Sequence, residues 1–125
     1  MKTPILIIAI LAATLKLGAQ EKIPMDHSVY EMWNSLNNRA IIKAQQHQDY
    51  KGARADFTKI ISIENNRYDG EINETSLEAA YTNRAYVRRE LGNTEGACDD
   101  LYEALALGVE KSSNFIEKQI DRHCL

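Results

Sequence analysis

A chain of 125 residues, 44% hydrophobic and 26% charged, has room for one domain with a modest core. Its net charge of −3 comes without any basic run, which argues against nucleic acid, because neutralising phosphates takes clustered Lys and Arg. The same balance argues against an anionic membrane surface as partner.

Lys2, the nearly unbroken apolar run Ile5–Leu15 and the small-residue ending Leu17-Gly18-Ala19 read as a secretory signal peptide over residues 1–19, cut after Ala19. The run falls short of the about 20 residues that span a bilayer, and Lys16 interrupts it. The alternative is an uncleaved N-terminal anchor. No Cys lies near the cut to carry a lipid. Removing this segment takes away Lys2 and Lys16, leaving 13 basic residues against 18 acidic ones, a net charge of −5. The expected location is periplasmic or secreted, with no membrane contact after cleavage. Cys98 and Cys124 both fall in the exported part, where an even cysteine count favours a disulfide. Two cysteines allow one intramolecular pairing; the alternative is two buried free thiols.

Residues 20–27 form a short polar leader containing Pro24, and the folded part is expected over 28–125. Ser28-Val29-Tyr30-Glu31 fits a capping box, in which the Ser hydroxyl and Glu carboxylate satisfy free N–H groups of a first turn. Apolar residues then recur at Val29, Met32, Trp33, Leu36, Ala40, Ile41 and Ala44, which predicts a helix to about Gln46. Asp49 is the expected N-cap of a second helix ending near Ile63, with Ala53, Phe57, Ile60 and Ile61 on one face. The Asn-, Asp- and Gly-bearing stretch Asn65–Thr75 is a connection. Thr75-Ser76-Leu77-Glu78 reads as a second capping box, opening a third helix that Gly92 ends after Leu91. Asn93-Thr94 caps a fourth helix over 95–107, stopped by Gly108. Ser112 or Ser113 caps a fifth, to His123, with Phe115, Ile116 and Ile120 on one face. No strand pattern competes, and the expected class is all-α.

The chain repeats itself. Asn38-Arg39-Ala40 answers Asn83-Arg84-Ala85 at an offset of 45 residues. Gly52-Ala53, Asp56, Phe57 and Ile60 answer Gly96-Ala97, Asp100, Leu101 and Ala104 at an offset of 44. A fixed spacing of this kind is the mark of a repeat architecture.

Tyr81 and Ala85 on the first helix of the second repeat, Gly92 in its turn, and Ala97, Leu101 and Ala104 on its second helix resemble the tetratricopeptide repeat, a pair of antiparallel helices over about 34 residues. The first repeat offers Trp33 or Leu36, then Ala53 and Phe57, with Ile60 where the family has Ala. The family's Pro after the second helix is missing from both, and the longer offset is expected to be an insertion in the 65–75 connection. The resemblance implies a two-repeat α-solenoid over about 30–108. Such a stack exposes apolar surface at its end, so residues 111–123 would be a capping helix on helix 95–107. A Cys98–Cys124 bridge would pin it there, worth about 3 kcal/mol for a loop of that length.

Arg39 and Arg84 stand where the family has an aliphatic residue, and Asp56 and Asp100 recur with them, so Arg39–Asp56 and Arg84–Asp100 are expected as structural ion pairs. The family's peptide groove implies Asn34, Asn37, Asn38 and Ile41 in the first repeat, and Thr82, Asn83, Tyr86 and Arg89 in the second. Asn amides can grip a peptide backbone by donor and acceptor, and Arg89 can take a carboxylate. The family's clamp for a C-terminal carboxylate needs several basic residues from three repeats, which two repeats with one groove Arg do not rebuild. His27, His47 and His123 lack metal-ligand spacing, and His123-Cys124 alone is weak evidence for zinc. Asp99-Asp100 and Asp69-Gly70-Glu71 lack calcium-loop spacing, and there is no phosphate loop or nucleophile elbow. Asn73-Glu74-Thr75 is a glycosylation sequon by letter. The leading expectation is an exported, monomeric, non-catalytic scaffold without cofactor, binding a protein or peptide on the concave face. Two alternatives stay open: a small exported enzyme or metal protein using Cys98, Cys124 and a histidine, or a structural protein that assembles end to end.

Overall fold

The computed structural model describes residues 27–67 and 73–125. The signal peptide expected at 1–19 and all but the last residue of the leader at 20–27 lie outside the described residues, as does the middle of the 65–75 connection. Among these residues five helices follow one another: α1 (His27–Gln45), α2 (Tyr50–Asn65), α3 (Glu74–Glu90), α4 (Thr94–Ala106) and α5 (Glu110–His123). Among the described residues there is no strand, and the chain is all-α.

Helices α2 and α4 begin by the same device. The Asp49 carboxylate accepts from the Gly52 N–H at 3.0 Å, and the Asn93 amide oxygen accepts from the Gly96 N–H at 2.9 Å. Each such cap satisfies a free donor of the first turn and contributes about 1 kcal/mol. The two glycines recur because a Cβ at either position would run into the capping side chain itself. At the end of α3, Gly92 takes φ +84°, its N–H bonds the Arg89 carbonyl at 2.9 Å, and the Asn93 N–H bonds the Arg88 carbonyl at 2.8 Å. This is a Schellman stop, and it lets α4 start at once. Gly108, φ +69°, follows α4 with the same left-handed backbone.

Three expected helix starts shift. The first helix already includes His27, so Ser28 lies inside its first turn instead of capping it. On α3 the cap is Asn73, whose side chain accepts from the Ser76 N–H at 3.0 Å, because an Asx residue two positions earlier than Thr75 starts the helix first. Glu78, freed from that role, is buried and accepts from the Thr82 hydroxyl at 2.9 Å. On α5 the helix opens two residues before Ser112. Its N-cap, Val109, brings no side-chain hydrogen bond, and the Ser113 hydroxyl donates to the Val109 carbonyl at 3.0 Å.

Substantial packing runs between successive helices: α1 with α2, α2 with α3, α3 with α4, and α4 with α5. One core cluster joins α1, α2 and α3 through Ala40, Ala44, Ala53, Phe57, Ile60, Ile61, Leu77, Ala80 and Val87. A second joins α3, α4 and α5 through Ala85, Ala97, Leu101, Ala104, Ile116 and Ile120. Tyr81 packs against both. The alanines sit where helices approach closely, and Phe57, Leu101 and the isoleucines fill the space between them. Phe115 departs from its expected face. Ile116 and Ile120 are buried, but Phe115, about 100° further round the helix from Ile116, is 54% exposed. The connection after α2 is anchored by buried Glu64, which accepts from Arg67 Nη1 at 3.0 Å and from the Asn73 N–H at 3.1 Å.

Candidate functional site

Two buried carboxylates organise the helix pairs. Asp56 on α2 receives two parallel bonds from Arg39 on α1, Nε to Oδ2 at 2.9 Å and Nη2 to Oδ1 at 2.7 Å, and Lys43 Nζ stands 3.2 Å from Oδ2. Asp100 on α4 receives the same fork from Arg84 on α3, at 2.9 and 2.7 Å, with Arg88 Nη1 at 3.1 Å from Oδ1. The planar guanidinium matches the carboxylate bidentately, and the second cation arrives one helical turn later. Sequence reasoning paired the arginines and aspartates but overlooked Lys43 and Arg88. Their signal was present, since both follow the paired Arg by four residues in each repeat. Arg84 is further fixed by the Thr58 hydroxyl at 3.2 Å and by the Tyr81 ring, 5.6 Å to its centroid.

The Asp56 carboxyl is held below its ordinary range, first by the Arg39 hydrogen bond, opposed by burial and reinforced by Lys43. A carboxyl with a depressed folded-state value stabilises the fold above its unfolded value, about 3.9, and that stability is lost as pH falls through the folded value. The expected result is that the gap in melting temperature between the wild type and Asp56→Asn is constant from pH 7 to 5 and narrows below about pH 4. Thermal melts at pH 7 and pH 3 check it; a gap unchanged at pH 3 contradicts the assignment.

A groove of about 330 Å³ opens between α1, α3 and α5. Gln45 supplies the α1 side, Thr82, Asn83, Ala85, Tyr86 and Arg89 the α3 side, Phe115 and Gln119 the α5 side, and Leu101 of α4 reaches it from below. All four second-repeat residues expected in the groove thus line it together. In the first repeat Ile41 lines a smaller hollow of about 60 Å³ that shares Gln45, Asn83 and Tyr86 with the main groove. Asn34, Asn37 and Asn38 line neither, because α1 contributes to these hollows only through its last two turns. Gln45, Phe115 and Gln119 were missed: α5 was read as a cap alone, and Phe115 as a core residue.

The groove has a distinct chemistry. Tyr86 and Phe115 are 44% and 54% exposed and come from helices that form its two sides. Tyr86 meets Tyr50 edge to face at 6.4 Å, and the Tyr50 hydroxyl is shifted up by burial, then by Tyr86 and Glu90. Arg89 lies over the Tyr86 ring at 5.8 Å and forms no ion pair among the described residues. No Asp or Glu lines the groove, so its formal charge is positive in an acidic chain.

Cys98 on α4 and Cys124 at the end of α5 form a disulfide, with Cα atoms 5.7 Å apart. Joined in this way, neither sulfur is a thiolate nucleophile or metal ligand. The Cys98 sulfur lies 3.7 Å from the His123 carbonyl. The His123 imidazole is shifted down, first by burial and then by Arg89 and Arg122. Among the described residues, no three His, Cys, Asp or Glu side chains gather as a metal site, and no helix is long and apolar enough to cross a membrane. Comparison with family models, curated proteins and solved structures gave no match to this chain.

Proposed function

We propose that α1–α2 and α3–α4 are two tetratricopeptide-like repeats, and that the protein is an exported, non-catalytic scaffold that binds a short extended peptide segment carrying an acidic residue beside an apolar one. The observation that carries this reading is the groove between α1, α3 and α5, with its exposed Tyr86 and Phe115 and the unpaired Arg89. Every other cation on the inner turns of α1 and α3 (Arg39, Lys43, Arg84, Arg88) is committed to Asp56 or Asp100. Arg89 is therefore available to a ligand carboxylate, and the amides of Gln45, Asn83 and Gln119 offer donors and acceptors to a peptide backbone. A volume of about 330 Å³ is at the small end of ligand sites, which suits two or three side chains of a longer segment.

The test is selection of random peptides displayed on phage against the oxidised domain, followed by titration of the selected peptides. Truncating an aromatic anchor typically costs about 2 kcal/mol, roughly thirtyfold in affinity. Tyr86→Ala is expected to lose about that much, and Arg89→Gln to lose preference for acidic sequences, with both variants keeping wild-type helicity. Failure to select any binder, or binders indifferent to both substitutions, would sink the reading.

A further inference from the structure

We propose that the Cys98–Cys124 disulfide is a redox latch on the groove: the bridged form holds the α5 wall in place for ligand, and a dithiol reductant releases that wall and the ligand with it. This rests on the groove being the binding site.

The placement of the bridge carries the inference. One side of the groove, Phe115 and Gln119, belongs to α5. That helix is the least secured of the five. Its substantial contact is with α4 alone, its buried side chains are Ile116 and Ile120, and no side chain caps its start. Fourteen residues without a cap are marginal as an isolated helix, so α5 depends on what attaches it. The disulfide makes that attachment at the far end, between Cys98 on α4 and Cys124 just past the last turn of α5, 26 residues apart in sequence. The remaining helices are joined by the first core cluster and by the Asp56 and Asp100 forks, neither of which includes α5. Opening the bridge therefore loosens one wall and leaves the rest of the groove standing.

The surroundings suit exchange. Both cysteines are only half-buried, so an external dithiol can reach them. Arg89 and Arg122 bear on the imidazole of His123, the residue that precedes Cys124. Arg89 also lines the groove, so the same end of the helix pair serves latch and ligand. In the reaction the dithiol attacks one sulfur and forms a mixed disulfide. Its second thiol then closes on the first and leaves as an oxidised disulfide. Two electrons and two protons pass to Cys98 and Cys124, which become thiols.

The experiment titrates a fluorescent peptide, selected on the oxidised protein, against three forms of the mature chain: oxidised, reduced with dithiothreitol, and the double variant Cys98→Ser/Cys124→Ser. Hydrogen exchange is followed in parallel. Reduction is expected to weaken binding at least tenfold and to speed exchange in residues 110–123 while α1–α3 stay protected. The double variant is expected to match the reduced form with or without dithiothreitol, and reoxidation of the wild type restores affinity. Equal affinity in the oxidised and reduced forms, with the open bridge verified by alkylation, overturns the latch while leaving the groove reading intact. Global loss of protection on reduction also overturns it, since the bridge would then be a general staple. If no peptide can be selected on the oxidised protein, the groove reading itself has failed, and the latch fails with it.

Discussion

Asp100→Ala is expected to destabilise the domain by about 3 kcal/mol, and Asp56→Ala by distinctly less, although the two aspartates occupy equivalent places in the repeats. The difference lies in what each removal leaves behind. Without Asp100, Arg84 and Arg88 remain side by side with their charge uncompensated, and their side chains are only 12% and 23% exposed. Arg84 is also fixed by Thr58 and Tyr81, so it has little freedom to swing into water. Breaking a buried pair by deleting one partner is costly for this reason, more so than the pair itself contributes. Without Asp56, by contrast, the Arg39 side chain is already 57% exposed and can rehydrate. For a domain of this size about 3 kcal/mol corresponds to a fall of roughly 15 °C in melting temperature. Urea unfolding of the two variants, with the disulfide intact, measures the contrast. Equal losses would show that burial of the cations does not govern the cost.

The all-α class and the turn glycines were readable because helical periodicity and left-handed stops are local signals. The caps at Asp49 and Asn93 were visible for the same reason, as each is a contact within one turn. Competition between neighbouring caps was harder to read. Thr75-Ser76-Leu77-Glu78 satisfies the pattern of a capping box, but Asn73 starts the helix earlier and leaves Glu78 to pair with Thr82. The site was half legible. Thr82, Asn83, Tyr86 and Arg89 share one face of one helix, and the resemblance to the tetratricopeptide repeat singled them out. Phe115 and Gln119 reach the same hollow from a helix 26 or more residues away, and no local pattern records that meeting. The apolar stripe of α5 even misdirected the reading, since a phenylalanine beside two buried isoleucines looks like core until the packing of α5 on α4 fixes its rotation.

The two phenylalanines in the chain are expected to separate stability from binding. Phe57 is 2% exposed in the cluster that joins α1, α2 and α3, among the largest fully enclosed side chains. Phe57→Ala removes its transfer free energy and leaves a cavity that the surrounding helices close only in part, for a cost of about 4 kcal/mol. The void would open into the hollow of about 60 Å³ that Phe57 already lines with Ile41 and Tyr86, so part of that cost is expected as looser packing where α1, α2 and α3 meet. Phe115→Ala removes a ring that is 54% exposed and takes only part of its surface out of water in the free protein. Its effect on stability is expected to stay within about 0.5 kcal/mol. Its effect on peptide affinity should be tenfold or more, because the exposed part of a ring at a groove wall is desolvated only when a ligand covers it. Chemical denaturation and peptide titration of both variants read the two quantities separately. A Phe115→Ala protein that unfolds as readily as Phe57→Ala would place that ring in the core after all, and would take from the groove the wall that α5 is argued to supply.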